Sequence, residues 1–414
     1  MINVVHISTF HREGGAAIAA LRLNHALAKL GVKSDMLVHQ SDKEEEGVTP
    51  FAQTNLEKKW RWLHFVGERL AYLPHEKDKT VRFAFSPALI GTDISQHPLI
   101  QTADIIHLHW FNFGFLSLNG MKKLFELNKP IVWTLHDMWA FTGGCHYSRG
   151  CERFTTHCSD CPYLSDPGKY DLSFSQFEFK RKLYGTTPLT FITPSKWLGQ
   201  LVQTSMLSQS KRCEVIPNCI DTSQFIPLDK RQVRIQLGLP DTQKYLLFSG
   251  ANTADPRKGF RFLKEAIQQI KRRDLSLLIF GKGSQEDFHD LDLPVHFLGK
   301  ISSVATMVQA YNAADLIVVP SLEDNLPNTI MEGMSCGTPT VGFNTGGISD
   351  MIDHLQNGYL ATSRSAKDLA LGIEAVLEGN VTGIMGQNAR KKVVENYAEN
   401  QIAGQHLNLY QTLL

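Results

Sequence analysis

Pro320-Ser321-Leu322-Glu323-Asp324-Asn325-Leu326-Pro327-Asn328-Thr329-Ile330-Met331-Glu332-Gly333-Met334-Ser335-Cys336-Gly337-Thr338-Pro339 decides how this chain is read. Just before it, Ala314-Asp315-Leu316-Ile317-Val318-Val319 reads as a buried parallel strand. Asn328 or Thr329 is placed to cap a helix that ends near Gly337. A loop that leaves the carboxyl end of a strand and runs into a helix N-terminus is where an α/β sheet binds anions. Two acids, Asp324 and Glu332, flank that helix start. Acids do not hold phosphate, but they accept hydrogen bonds from sugar hydroxyls. The stretch therefore predicts a ligand with phosphate and sugar, a nucleotide-sugar.

Outward from this stretch, the second half repeats strand and helix regularly. Strands are predicted at Tyr245–Ser249, Ser276–Phe280, Val295–Leu298, Leu316–Val319 and Thr340–Phe343, with helices between them such as Phe260–Arg272. The first half opens on the strand Met1–Ser8, then His11-Arg12-Glu13-Gly14-Gly15, then a helix from Ala16 to Leu30. Ala20, Leu23, Leu27 and Leu30 share one face of that helix, and Gly31 stops it. Further strands are predicted at Met36–Val38, Asp104–His109, Ile131–Leu135 and Leu189–Ile192. This alternation predicts an α/β protein whose parallel sheets are covered on both faces.

The acidic stretch resembles the acidic-pair motif of retaining glycosyltransferases of the GT-B fold, family 4, in which two Glu are separated by seven residues. Glu332 matches the second acid. Asp324 stands at the first, with Glu323 beside it as the alternative. Val215-Ile216-Pro217-Asn218-Cys219-Ile220-Asp221 resembles the interdomain segment of that family, where Gly is usual at the position of Cys219. If the backbone there needs a positive φ, Cys is a costly residue. The resemblance spans nearly the whole chain and is that of the bacterial polysaccharide-biosynthesis members, of the colanic-acid type. It implies two Rossmann-like domains with parallel sheets facing across a cleft. Residues 1–208 would form the acceptor-side domain and 209–399 the nucleotide-sugar domain, with a C-terminal helix of about 400–414 packing back on the first.

Bulk composition is compatible with this. The 414 residues suffice for two ordinary domains, and 43% hydrophobic content fits a packed globular protein. A net charge of +1 gives no global field for nucleic acid, so no nucleic-acid partner is expected. No secretory leader is read at the N-terminus, and no apolar run is long enough to span a bilayer. A cytoplasmic protein is expected, with peripheral association at the inner face of the cell membrane left open. Glu57-Lys58-Lys59-Trp60-Arg61-Trp62-Leu63-His64-Phe65-Val66 mixes bases with aromatics. We read it as a helix whose aromatics pack in the N-terminal domain, in preference to a membrane-surface helix.

Pro256-Arg257-Lys258-Gly259-Phe260 follows a strand and opens a helix. Cations at a helix N-terminus oppose the helix dipole, so the pair argues for a bound diphosphate. Lys258 and Gly259 match the family's Lys-Gly pair. The family's upstream Arg is missing, because Gly250-Ala251-Asn252 stands there, and Arg257 is expected to replace it. The resemblance makes Gly14 and Gly15 a loop near the donor phosphate or the acceptor, with Arg12 able to help hold an anion. It makes His136, in Trp133-Thr134-Leu135-His136-Asp137, the strand-end residue that contacts the donor sugar. Asp137 would orient that imidazole or form its own contact. His107 and His109 share one side of a neighbouring strand and are read as supporting residues. Asn325, Leu326, Asn328 and Thr329 complete the implied substrate-binding set.

No metal-dependent donor motif is read. Asp290-Leu291-Asp292 lies in a polar connection and is taken as a solvated loop. No cofactor is expected to be required for catalysis. Four of the seven cysteines crowd at Cys145, Cys151, Cys158 and Cys161, and Cys158-x-x-Cys161 is half of a zinc pattern. His146 and His157 are further possible ligands, and a reducing cytosol disfavours disulfides. Two readings stand open: a structural zinc knuckle in a loop too polar and Gly-rich to bury its own core, or four packed thiols.

The expected function is retaining transfer of a sugar from a UDP- or GDP-linked donor to a lipid-linked or oligosaccharide acceptor. Lys258 and Arg257 would stabilise the departing diphosphate, Glu332 would hold the ribose, and Asp324 would hold sugar hydroxyls. The alternatives are a GT-B nucleotide-sugar epimerase or phosphorylase, or a non-catalytic glycan-binding subunit. The absence of a GxGxxG after the first strand argues against a dinucleotide enzyme.

Overall fold

The computed structural model describes the chain except residues 42, 251–254, 282–287, 289, 290, 302 and 380. The chain divides into two compact units, Met1–Pro217 with Ile402–Leu414, and Asn218–Gln401.

The first unit holds seven strands: β1 (Asn3–Ser8), β2 (Lys33–Val38), β3 (Val48–Pro50), β4 (Ile105–Leu108), β5 (Ile131–Thr134), β6 (Leu189–Thr193) and β7 (Arg212–Val215). They form one parallel sheet in the order β3-β2-β1-β4-β5-β6-β7. The second unit holds β8 (Lys244–Gly250), β9 (Leu275–Gly281), β10 (Val295–Phe297), β11 (Leu316–Val319), β12 (Thr340–Phe343) and β13 (Gly358–Ala361). They are also parallel, in the order β10-β9-β8-β11-β12-β13. The central strands are continuous apolar runs because each is covered on both faces. Along β8, Leu246 and Phe248 enter one core while Leu247 enters the other. Each strand order reverses direction once, between β1 and β4 and between β8 and β11. Such switch points open a crevice at the carboxyl ends of the strands, where α/β sheets bind ligands.

Local signals behave as the sequence suggests in some places and differently in others. The first helix runs Gly15–Lys29, burying Ala20, Leu23 and Leu27, and Gly31 takes φ +80°; Leu30 is left exposed. Cys219 is buried and is not among the described residues with positive φ, so the backbone makes no demand for glycine there. The reading of Glu57–Val66 as a helix holds, and Phe65 packs edge-to-face on Phe113, but the two tryptophans do not pack inward. The helix, Asn55–Tyr72, buries only Glu68 and Tyr72, while Trp60 and Trp62 are 55% and 57% exposed. It is anchored by Glu68, whose carboxylate accepts from the backbone N–H groups of Ala88, Leu89 and Ile90, and it begins in a Thr54–Glu57 capping box. The outward aromatics play no part in its attachment. No helix among the described residues is long and apolar enough to cross a membrane.

The last helix, Glu399–Gln411, starts in the second unit and supplies Ile402–Leu414 to the first. Its Tyr410 hydroxyl lies 2.7 Å from His107 Nδ1, and the His406 ring lies tilted against that of His107 with centroids 5.8 Å apart.

Candidate active site

In the second unit, the loops after β8 and β11 meet at the switch point. Pro256–Lys258 forms a single 3-10 turn, capped by Asp255, whose carboxylate accepts from the Arg257 N–H at 2.9 Å. Gly259 follows at φ +67°, and a Cβ there would lie 1.8 Å from the Pro320 carbonyl oxygen. Glycine is therefore required for the two loops to approach. Arg257 reinforces the junction: its carbonyl accepts from the Leu322 N–H at 2.7 Å, and its Nη1 donates to the Glu323 carbonyl at 2.9 Å. The helix Phe260–Gln269 starts after this turn, so the two cations precede the helix instead of opening it.

Both cations converge on Asp324. Lys258 Nζ lies 2.5 Å and Arg257 Nη1 3.9 Å from Asp324 Oδ2. Burial pushes the Asp324 carboxyl up, but Lys258 and Arg257 outweigh it and hold the group below the usual carboxylate range. The dipole argument is thus corrected: Asp324 and Asp255 compensate the cations within the protein. Asp324 takes the inward position and Glu323 is half-buried. Asn325 and Leu326 are buried beside Asp324, and the Asn325 N–H donates to Asp324 Oδ1 at 3.1 Å.

The next helix is Asn328–Ser335, ending in Cys336 and Gly337 at φ +77°. Its N-cap is Pro327, which has no capping side chain, so neither Asn328 nor Thr329 caps it. Thr329 instead lies at the first turn with its Oγ1 3.4 Å from Ser249 Oγ. Glu332 is buried and accepts from the Tyr311 hydroxyl at 2.7 Å. Thr345-Gly346-Gly347, after β12, completes this end. A Cβ on Gly346 would lie 2.1 Å from the Asp324 carbonyl oxygen, which accepts from the Gly347 N–H at 3.0 Å. That second Gly-Gly pair at a strand end carries the same signal as Gly14-Gly15 and was not read from sequence. Ala251, Asn252 and Asp290 lie outside the described residues; Asp292 is fully exposed.

In the first unit, Gly14 (φ +89°) and Gly15 start the first helix at the end of β1. Arg12 is paired with Glu45, so its charge already has a protein partner. At the ends of β4 and β5 the histidines connect: His6 Nδ1 lies 2.9 Å from His109 Nε2, and His109 Nδ1 lies 3.1 Å from His136 Nε2. A neutral His109 has one N–H, so it donates to one neighbour and accepts from the other. The tautomer of His136 is thereby tied to that of His6. Burial pushes His136 down to about 4 and His6 to about 3, so both imidazoles are neutral near pH 7. Asp137 does not orient His136. Its carboxylate takes His146 Nδ1 at 2.6 Å and the Trp110 indole N–H at 3.0 Å. The sequence marks His109 only as a supporting residue and carries no signal for His6, which lies 103 positions away from it.

His6, His107 and His109 place three ligand atoms within 4.8 Å of one another. However, both nitrogens of His107 are engaged, by Tyr410 and Thr134, and both of His109, by His6 and His136. Only His6 Nε2 is uncommitted, so a metal here would displace existing hydrogen bonds. Cys145, Cys158 and Cys161 are buried and Cys151 is half-buried, all reduced.

The comparisons agree with this architecture. Residues 13–224 match the family model described as Glycosyltransferase Family 4, and residues 243–379 match Glycosyl transferases group 1. The chain is 31% identical over 352 residues to an uncharacterized glycosyltransferase of Methanocaldococcus jannaschii, covering 78% of this chain and 88% of that one. It is 23% identical to an Escherichia coli K12 protein provisionally described as a colanic acid biosynthesis glycosyl transferase, over 100% of both. Its fold is similar to that of sucrose-phosphate synthase from Thermosynechococcus elongatus, with a TM-score of 0.72 at 20% identity, over 100% of this chain and 99% of that one.

Proposed function

The chain belongs to glycosyltransferase family 4, with the GT-B fold, and from that premise we propose that it transfers a sugar, with retention, from a UDP- or GDP-linked donor to a lipid-linked or oligosaccharide acceptor in cell-surface polysaccharide synthesis. The observation that carries this reading is the junction at the second unit's switch point. There Lys258, Arg257, Asp324 and the uncapped start of Asn328–Ser335 lie together. Such a helix start suits phosphate, and the adjoining cations suit the charge that builds on a departing diphosphate. Glu332 is assigned to the ribose and Asp324 to sugar hydroxyls. His136, neutral because of its burial, is assigned to the transferred sugar as a hydrogen-bonding group. The acceptor hydroxyl would attack on the leaving-group face and pass its proton to the diphosphate. The E. coli relative's colanic acid assignment supports the polysaccharide setting.

We place the acceptor at a lipid surface because of the helix Asn55–Tyr72. Leu56, Trp60, Leu63 and Leu70 are all exposed, and at 100° per residue they fall within about 80° of one another. Lys59 borders that stripe and suits anionic headgroups.

The test is thermal stabilisation by a panel of nucleotide-sugars, run on the chain and on Lys258→Ala. A true donor at about 100 times its Kd should add about 2.7 kcal/mol of stability, and the variant should lose most of that gain. No stabilisation by any UDP- or GDP-sugar would overturn the donor assignment.

A further inference from the structure

The segment between the first unit's candidate site and the helix Leu172–Gly185 carries a feature that transfer chemistry does not use. Cys145, Cys151, Cys158 and Cys161 line one cavity of about 20 Å³. A space of about 10–15 Å³ suffices for one water-sized occupant, so this cavity has room for one ion. No carboxylate lines it. Hard cations such as magnesium or calcium require oxygen ligands, whereas thiolates suit zinc, copper(I) and iron–sulfur clusters; room for a single ion excludes a cluster, and a closed set of four thiolates is a standard structural zinc set. Both candidate histidines are committed elsewhere. His146 bonds Asp137 and Ser86, and His157 bonds Glu178 and the Cys158 carbonyl.

The surroundings are built to hold the sulfurs. The Gly143 N–H donates to Cys158 Sγ at 3.1 Å, and the Tyr163 backbone N–H is directed at the Cys161 sulfur. Backbone donors of this kind orient metal-bound thiolates. A Cβ on Gly143 would lie 2.5 Å from the Ser173 carbonyl oxygen and 2.8 Å from Cys158 Cβ, so the turn requires glycine. The Asp171 carboxylate accepts from the Cys161 N–H at 2.8 Å while capping the helix Leu172–Gly185. From the same helix, buried Lys180 donates to the Trp139 and Thr142 carbonyls at 2.6 and 3.2 Å. Among the described residues it has no ion pair, so a tetrathiolate zinc, with a net charge of about −2, would supply nearby countercharge.

We propose that Cys145, Cys151, Cys158 and Cys161 bind one structural zinc ion. The loop does have a small core of its own, in which Cys145 and Cys161 pack with Tyr72, Val81, Phe85 and Tyr163. The metal would therefore pin an existing cluster. Among the described residues, no three of these sulfurs fall within 4.8 Å of one another, against about 3.8 Å between sulfurs of a tetrahedral site with Zn–S near 2.3 Å. Binding would draw the loop inward.

The test uses the full chain purified without chelator or metal-affinity tag. Elemental analysis should find one zinc per chain, and zinc-edge absorption spectroscopy should find four sulfurs at about 2.3 Å. A mercurial titration should release that zinc as four thiols react. Cys151→Ser, at the least buried of the four positions, should leave the protein folded by circular dichroism and lower zinc content at least tenfold after dialysis against a chelator. Zinc-free protein with four freely titrating thiols, a disulfide between any two, or nitrogen in the first coordination shell would overturn the proposal.

Discussion

Lys258 and Asp324 already neutralise each other across 2.5 Å, and this decides what a single substitution at either residue does. Asp324→Asn removes the carboxylate from two cations at once. We expect free nucleoside diphosphate to bind more tightly to this variant, while sugar transfer falls because a hydroxyl acceptor is weakened. Calorimetry with the diphosphate decides the matter; weaker diphosphate binding would show that Asp324 does not restrain the cations. Lys258→Ala should lower kcat by about 10²- to 10³-fold, the loss typical of removing one preorganised donor to developing charge. It should cost roughly 1 kcal/mol of stability, because a quarter of the Lys258 side chain meets solvent and the ion pair is partly screened. Unchanged turnover at saturating donor would remove Lys258 from the mechanism. The members of this cluster were legible because Pro-Arg-Lys-Gly and the spaced acids are local patterns. Their mutual pairing was not, because it joins residues 66 positions apart. The same holds for His6 and His109, which are 103 positions apart and touch only because β1 and β4 are neighbours in the sheet.

The helix Asn55–Tyr72 tests the lipid-surface reading at the level of one element. Burying a Trp side chain in the interface is worth about 1.5–3 kcal/mol, so Trp60→Glu should weaken partitioning onto anionic vesicles roughly tenfold or more. Cosedimentation of parent and variant, with zwitterionic vesicles as control, measures it. Equal partitioning, or no binding by the parent, would return the stripe to an ordinary solvent face. Sequence misjudged this helix because its wheel shows only that an apolar stripe exists, while the anchoring of Glu68 to residues 88–90 decides which face turns inward. Strands show the same division. The central ones, such as Leu316–Val319, are continuous apolar runs and were found. The short β3 (Val48–Pro50) and the exposed-to-half-buried β7 (Arg212–Val215) were missed, and so was β13 (Gly358–Ala361), which begins on a glycine. Each lies at or near a sheet edge, where one flank needs no apolar cover and the periodic signal fades.

At the scale of the molecule, the two units carry different acid sensitivities. In the first unit His6, His107, His109 and His406 are buried and His136 is half-buried at the strand end, and desolvation pushes every one of them down, His406 to about 4. In the unfolded chain each would titrate near 6.5, so below that pH the unfolded state binds more protons than the folded one. Stability is therefore complete above about 6.5 and is lost as pH falls toward the folded values of about 3 to 4. Each histidine that stays neutral in the folded chain contributes up to about 1.4 kcal/mol per pH unit once the unfolded chain is protonated, so the coupled group together contributes several kcal/mol per unit. That rivals the whole stability of a typical domain within one or two pH units. In the second unit two buried carboxylates, Asp315 and Asp324, are raised by burial but lowered on balance by their cationic neighbours. Their contribution is present above the unfolded Asp value near 4 and is lost only as pH falls below it. The first unit should thus unfold at about pH 5 to 6, ahead of the second. All six tryptophans, at 60, 62, 110, 133, 139 and 197, belong to the first unit. Their fluorescence reports that unit alone, while far-ultraviolet circular dichroism reports both. An acid titration should show the tryptophan transition first, with a large helical signal surviving until near pH 4. Coincident transitions below pH 4 would mean that the histidine stack takes up protons without unfolding, through a rearrangement the neutral ladder does not display.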